Sequence, residues 1–86
     1  MRLDDQLRQY FGTGDLSRVT PEALAAGTER ITVDLGLEKD RGRRFALWVL
    51  LYVLGAAPDL EAVFDEEADR AAARRFMEAS EMSGEP

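Results

Sequence analysis

The chain of 86 residues is long enough for one small domain, and 45% hydrophobic with 33% charged residues is a composition typical of a folded protein. It contains no Cys and no His, which excludes disulfides, thiolate zinc sites and the most common catalytic base. The net charge of −6 arises in residues 45–86, which hold three basic and nine acidic side chains, and it disfavours nonspecific binding to nucleic acid or anionic membranes.

Two helices are predicted in the first part of the chain. The first spans residues 3–11 and ends at Gly12, because four apolar residues recur there at helical spacing: Leu3, Leu7, Tyr10 and Phe11. The second begins at Pro21, since Pro suits the first helical position and the hydroxyl of Thr20 can cap the helix.

The segment over residues 30–35 is ambiguous between helix and strand. Ile31, Val33 and Leu35 alternate with polar residues, which is the two-residue period of a strand. No second strand is available to pair with it, and a lone strand is unstable. We therefore favour a helix over 21–35 that ends at Gly36.

Two further helices are predicted over residues 38–55 and 59–80, separated by a turn at Pro58. The first contains the uncharged run 45–57, whose 13 residues fall short of the roughly 20 needed to cross a bilayer. We expect this run to be the buried centre of the fold. The polar end at 81–86 has no apolar pattern and is expected to fray.

The helix over 38–55 has two distinct apolar sides. One carries leucines (Leu47, Leu50, Leu51 and Leu54) and the other carries Phe45, Trp48, Tyr52 and Ala56. Such a helix is either enclosed by its neighbours or shared with a partner. If the aromatic side is open, the partner-binding residues are Arg41, Arg44, Phe45, Trp48 and Tyr52, because interfaces are enriched in aromatic residues and Arg. In either case the guanidinium of Arg44 or Arg41 can stack on the ring of Trp48 or Phe45.

The basic cluster over residues 39–44 offers a second interpretation. It follows a segment with the look of a helix-turn-helix, in which the helix after the turn would enter the DNA groove. The acids Glu38 and Asp40 occupy positions that would face base edges, and the net charge also opposes binding. DNA binding is therefore the weaker alternative. Otherwise we expect the basic residues to pair with the acidic 59–69 stretch or with a partner.

The 59–69 stretch itself has six acids and no base. A third interpretation is an acidic inhibitor that covers a basic partner through this stretch. The chain is similar in size and charge to the nuclease immunity proteins, small acidic helical inhibitors, although it has no segment like their Tyr-Tyr-Pro. On a helix these carboxylates fan out, so we expect no metal site.

Taken together, these patterns predict an all-α fold: one small four-helix bundle-like domain over residues 1–86. The serines have no His to activate them, so we expect no enzyme and no cofactor. The N-terminus is acidic and lacks the pattern of a secretory signal, which suggests a cytoplasmic protein. The favoured function is a protein-interaction module that binds itself or a protein partner through the helix at 45–57.

Overall fold

Helices account for all the regular structure in the computed structural model, which describes residues 3–83. The elements are α1 (Leu3–Phe11), α2 (Pro21–Leu37), α3 (Arg41–Val53), α4 (Leu60–Val63) and α5 (Glu67–Ser83), with a 3₁₀ turn at Leu16–Arg18. The predicted all-α fold is confirmed. The alternating segment at 30–35 lies inside α2 and is helical. We expected this because the sequence offers no second strand to pair with it.

Helix α3 lies between two halves of the core. On its leucine side it packs against α1 and α2 around one buried cluster: Leu7, Ile31, Leu35, Leu47, Leu50 and Leu51. On its aromatic side it packs against α4 and α5 around a second: Trp48, Leu60, Phe64 and Ala73. The two sides of α3 therefore divide as the helical spacing predicts, and each is covered by other helices of the same chain.

Helix α2 begins as predicted but ends later. The hydroxyl of Thr20 accepts a hydrogen bond from the Ala23 amide at 3.2 Å, which caps the first turn. The predicted end at Gly36 is wrong, because Gly36 does not adopt the positive φ that ends helices and α2 continues to Leu37. Further back, α1 crosses α2 at Gly27, where a Cβ atom would overlap the ring of Phe11.

Helix α3 is shorter than predicted at its N-terminus and ends at the predicted glycine. Residues 38–40 form a connection, and the carboxylate of Asp40 caps the helix by accepting a bond from the Arg43 amide at 2.9 Å. At the other end, Gly55 has a φ of 77°, and Ala56 donates to the carbonyl of Leu51 at 2.9 Å. This αL termination favours glycine, because a Cβ atom is strained there.

The prediction of one continuous helix over 59–80 is wrong. Helix α4 stops at Val63. Phe64 follows with an extended backbone (φ −104°, ψ 125°), and its side chain is buried, at 2% exposure. The carbonyls left free by this break are satisfied by side chains: Val63 accepts from Arg44 at 2.6 Å and Phe64 accepts from Arg70 at 2.7 Å. Helix α5 then runs to Ser83, and residues 84–86 of the expected frayed end lie outside the described residues.

The guanidinium of Arg44 joins three elements. Besides the Val63 carbonyl, it donates to the carbonyls of Leu35 and Glu38, both at 2.9 Å. It therefore caps the C-terminal end of α2, holds the connection to α3 and secures the end of α4. These bonds replace the stacking on an aromatic ring that the sequence allowed for Arg44.

We expect Arg44→Lys to lower the free energy of unfolding by about 1–3 kcal/mol, because an ammonium group on a single stem cannot reproduce the planar fork of donors. Urea unfolding followed by circular dichroism measures the change. Arg43→Lys is the matched control, since Arg43 is exposed and its side chain should tolerate the exchange. Equal stability of the two variants would contradict the proposed role of the fork.

Candidate interaction surface

Trp48, the centre of the predicted binding surface, is a core residue. Its side chain is 1% exposed, and its indole nitrogen donates to the carbonyl of Pro58 at 3.0 Å. Four aromatic rings surround it, with centroids 5.5–6.4 Å away: Phe45, Tyr52, Phe64 and Phe76. The ring is thus packed and its polar atom satisfied within the chain.

The other predicted partner-binding residues lie close by but do not form an open surface with Trp48. Phe45 and Tyr52 are half-buried, and Arg44 is bound to main-chain carbonyls. Arg41 is exposed but makes a two-pronged ion pair with Asp69, with N···O distances of 3.0 and 3.1 Å. These hydrogen bonds hold the pKa of the Asp69 carboxyl below its ordinary value. In the described residues, the aromatic side of α3 is therefore covered by the chain itself.

The surroundings of α3 also bear on the helix-turn-helix interpretation. A recognition helix presents one whole side to the DNA groove. Here α3 is enclosed by α1 and α2 on one side and by α4 and α5 on the other, and its exposed positions are residues 41–43, at its first turn, and Val53. This arrangement offers no long face of α3 to DNA.

The acidic stretch over 59–69 is partly neutralised within the chain. Basic side chains of α3 and α5 contact three of its acids: Arg41 with Asp69, Arg70 with Glu67, and Arg74 with Glu61 and Glu67. Arg41 of the basic cluster thus forms an ion pair with this stretch, which is the pairing expected as the alternative to DNA binding. Across residues 3–83, no group of three or more potential metal-ligating side chains converges.

A surface that the sequence analysis did not single out lies on α2. Ile31 and Leu35 are buried, at 0% and 4% exposure, whereas Val33 and Leu37 are 54% and 74% exposed. In a helix, residues two positions apart point to nearly opposite sides. The alternating pattern that resembled a strand therefore places apolar residues on both sides of a helix. This signal was present in the sequence and would have predicted an exposed apolar face.

The exposed side of α2 also contains a shallow depression of about 370 Å³, with Asp34 at its edge. We define the outer face of α2 as Ala26, Glu29, Arg30, Val33 and Leu37. The first four line this depression, and Leu37 is an exposed residue one turn beyond Val33. A second groove of about 440 Å³ runs between α1 and the α2–α3 connection, and Asp34 and Leu37 are among the residues that line it.

Tyr10 holds two side chains at the edge of this face in place. Its hydroxyl donates to the carboxylate of Asp34, and the guanidinium of Arg30 lies 5.7 Å from its ring centroid. Burial, together with the bond to Asp34 and that carboxylate's charge, raises the pKa of Tyr10 to about 12. The charged groups beside Val33 and Leu37 are therefore positioned by α1.

None of the helices within residues 3–83 has both the length and the apolar character needed to cross a membrane. Comparisons with models of protein families, with curated proteins and with solved structures found no match. The geometry of the chain is therefore the basis for proposing a function.

We expect Trp48→Ala to destabilise the fold by about 3–5 kcal/mol, because the indole is fully buried, and a domain of this size has little more stability to lose. Thermal melting and sedimentation mass, measured on the same variant, test this expectation. The control is Val53→Ala, an exposed position outside the outer face of α2 that is expected to change stability by no more than about 0.5 kcal/mol. A Trp48→Ala variant that melts like the parent but has altered association would contradict the core assignment.

A second prediction concerns Tyr10, which becomes the one remaining tyrosine in a Tyr52→Phe background. Titration by ultraviolet absorbance should give a pKa of about 12 in the folded protein, against an ordinary value of 10.0. Asp34→Asn should lower this pKa, because it removes the negative charge that opposes phenolate formation. Since the folded-state pKa is raised, the stabilisation is complete below pH 10.0 and is lost as the pH rises towards about 12. An unshifted pKa in the folded chain would contradict the contact.

Proposed function

We propose that the chain is a small, non-enzymatic protein-binding domain of the cytoplasm that binds through the outer face of α2. The observation that carries the proposal is the exposure of Val33 and Leu37, 54% and 74%, on a helix whose opposite side is already buried. A helix with apolar residues on both sides needs a neighbour on each. Association would remove this surface from water, at roughly 25 cal/mol for each Å² of apolar area.

This proposal moves the binding surface away from the aromatic side of α3. Binding through Trp48 would require its ring to leave a packed cluster and its indole nitrogen to lose the Pro58 carbonyl. Binding through Val33 and Leu37 requires no such rearrangement. The outer face also carries charges of both signs, Glu29 and Arg30, which favour a specific partner over nonspecific aggregation.

The absence of catalysis is proposed from the chemistry of the side chains. The chain has no His and no Cys, and the hydroxyl of Ser17 donates to the carboxylate of Asp15 in an exposed loop. Since Asp15 accepts from both the hydroxyl and the amide of Ser17, it acts as a cap for the 3₁₀ turn. These contacts support a structural role for Asp15 and Ser17.

The proposal predicts which surface a partner needs. The immobilised chain is used to capture proteins from a native cell extract, alongside a Leu37→Glu variant and a Val53→Glu variant. Val53 is 46% exposed on α3, so its substitution makes the same chemical change outside the outer face of α2. We expect proteins that the parent and Val53→Glu retain and that Leu37→Glu loses, identified by mass spectrometry.

The opposite outcomes are equally specific. Retention that is unaffected by Leu37→Glu would refute the outer face as the binding surface. If the same retention is lost with Glu66→Lys, a partner bound by the acidic 59–69 stretch is the better explanation. Circular dichroism of each variant establishes that it is folded before capture.

A further inference from the structure

We propose that the outer face of α2 binds the same face of a second copy of this chain, with the two α2 helices antiparallel about a two-fold axis at Val33. The inference rests on the proposed function, since it names the partner of that surface. It follows from the way large, small and charged side chains are distributed along the helix.

The first argument is a hole on α2. When helices pack closely, a side chain of one inserts into a hole formed by four residues of the other. Ala26, Glu29, Arg30 and Val33 have the i, i+3, i+4, i+7 spacing of such a hole, and they line the depression of about 370 Å³. Because Ala26 is small, this hole has room for a larger side chain.

The second argument is the side chain that fits the hole. Leu37, 74% exposed, lies one turn beyond Val33. In an antiparallel pair, positions equally distant from the axis face each other, and Leu37 and Glu29 each lie four positions from Val33. Leu37 of each copy therefore meets the hole of the other, and Val33 meets Val33 at the centre.

The third argument is charge. Arg30 and Asp34 lie on the same edge of the outer face, and in an antiparallel pair like edges meet. Arg30 of each copy then lies beside Asp34 of the other, which forms two equivalent ion pairs. Tyr10 already positions both groups, since it donates to Asp34 and packs beneath Arg30. The Asp34 carboxylate has further acceptor capacity for this pairing.

These features favour a second copy over an unrelated helix. A symmetric dimer uses one patch twice, so that patch must hold both the knob and the hole, as well as both members of each ion pair. The outer face of α2 holds all of them. A helix of 17 residues gives an interface at the small end of the usual range, and we expect a dissociation constant on the order of micromolar.

Sedimentation equilibrium of the purified chain tests the dimer directly. We expect a mass that rises with concentration towards twice 9.6 kDa. Leu37→Glu should weaken association by about 30-fold or more, because it replaces the apolar side chain that fills the hole with a carboxylate beside Glu29. Val53→Glu should leave association unchanged. Both substitutions are at exposed positions, and circular dichroism verifies that each variant is folded.

A disulfide can test the position of the axis, because the chain has no Cys of its own. Val33→Cys should form an intermolecular disulfide under mild oxidation, since residues on the axis approach within the roughly 4 Å between Cβ atoms that a disulfide needs. Val53→Cys should remain largely monomeric. Adding Leu37→Glu to the Val33→Cys variant should suppress the crosslink.

A charge exchange tests the pairing of Arg30 with Asp34. Arg30→Glu and Asp34→Arg should each weaken self-association, because each variant brings like charges together across the axis. A mixture of the two variants should form a heterodimer in which both pairs are again opposite in charge. Restoration in the mixture would also show that both variants are folded.

Each remaining outcome overturns the inference in a distinct way. A chain that is monomeric at about 100 µM, but captures a different protein in a manner lost with Leu37→Glu, refutes the second copy and leaves the proposed function intact. A monomer that captures nothing through this face refutes both. A dimer that is insensitive to Leu37→Glu, or a Val53→Cys variant that crosslinks as readily as Val33→Cys, refutes the antiparallel α2 arrangement.

Discussion

The arrangement of this chain depends on the guanidinium of Arg44. Three carbonyls, from the end of α2, the connection that follows it and the end of α4, converge on this one group. Each belongs to a helix end or a connection and lacks the main-chain partner that a helix interior provides. One guanidinium group thus fixes the turn between α2 and α3, and it also satisfies a carbonyl that the break after α4 leaves free. Through these bonds Arg44 holds the C-terminal end of α2 beside α3 and the end of α4.

The break after α4 in turn shapes the aromatic half of the core. In an uninterrupted helix Phe64 would have a helical backbone. Its backbone is extended instead, and its ring packs against those of Phe45 and Trp48. The ring then helps to close the aromatic side of α3. With that side closed, the large apolar side chains that stay exposed in residues 4–81 are Val33 and Leu37 on α2 and Val53 on α3.

Local patterns predicted most of the fold. Periodicity identified the helices, Thr20 and Pro21 marked the start of α2, and Gly55 marked the end of α3. The break at 64–66 was missed because the donors that stabilise it, Arg44 and Arg70, act across the fold, and the apolar spacing there continues without interruption. The cap at Asp40 was missed because the helix was started at Glu38, although Asp is among the residues preferred at the capping position.

The candidate surface was less predictable for a related reason. Spacing shows which residues share a side of a helix, but not which neighbour covers that side. The leucine and aromatic sides of α3 were separated correctly, yet the burial of the first depends on where α1 and α2 pack and that of the second on where α4 and α5 pack. For α2 the information was present, because Val33 lies opposite Ile31 and Leu35 in any helix.

The position of α3 between two clusters also has a consequence for how the chain opens. The buried residues of each cluster come from segments adjacent in sequence, α1 to α3 for one and α3 to α5 for the other, while Ala57 and Val63 pack against both. Local opening of α5 leaves the leucine cluster packed, and local opening of α1 leaves the aromatic cluster packed. Only loss of both exposes α3 fully. We therefore expect the amide protons of α3 to exchange with solvent last, because opening of either end of the chain leaves one side of this helix packed.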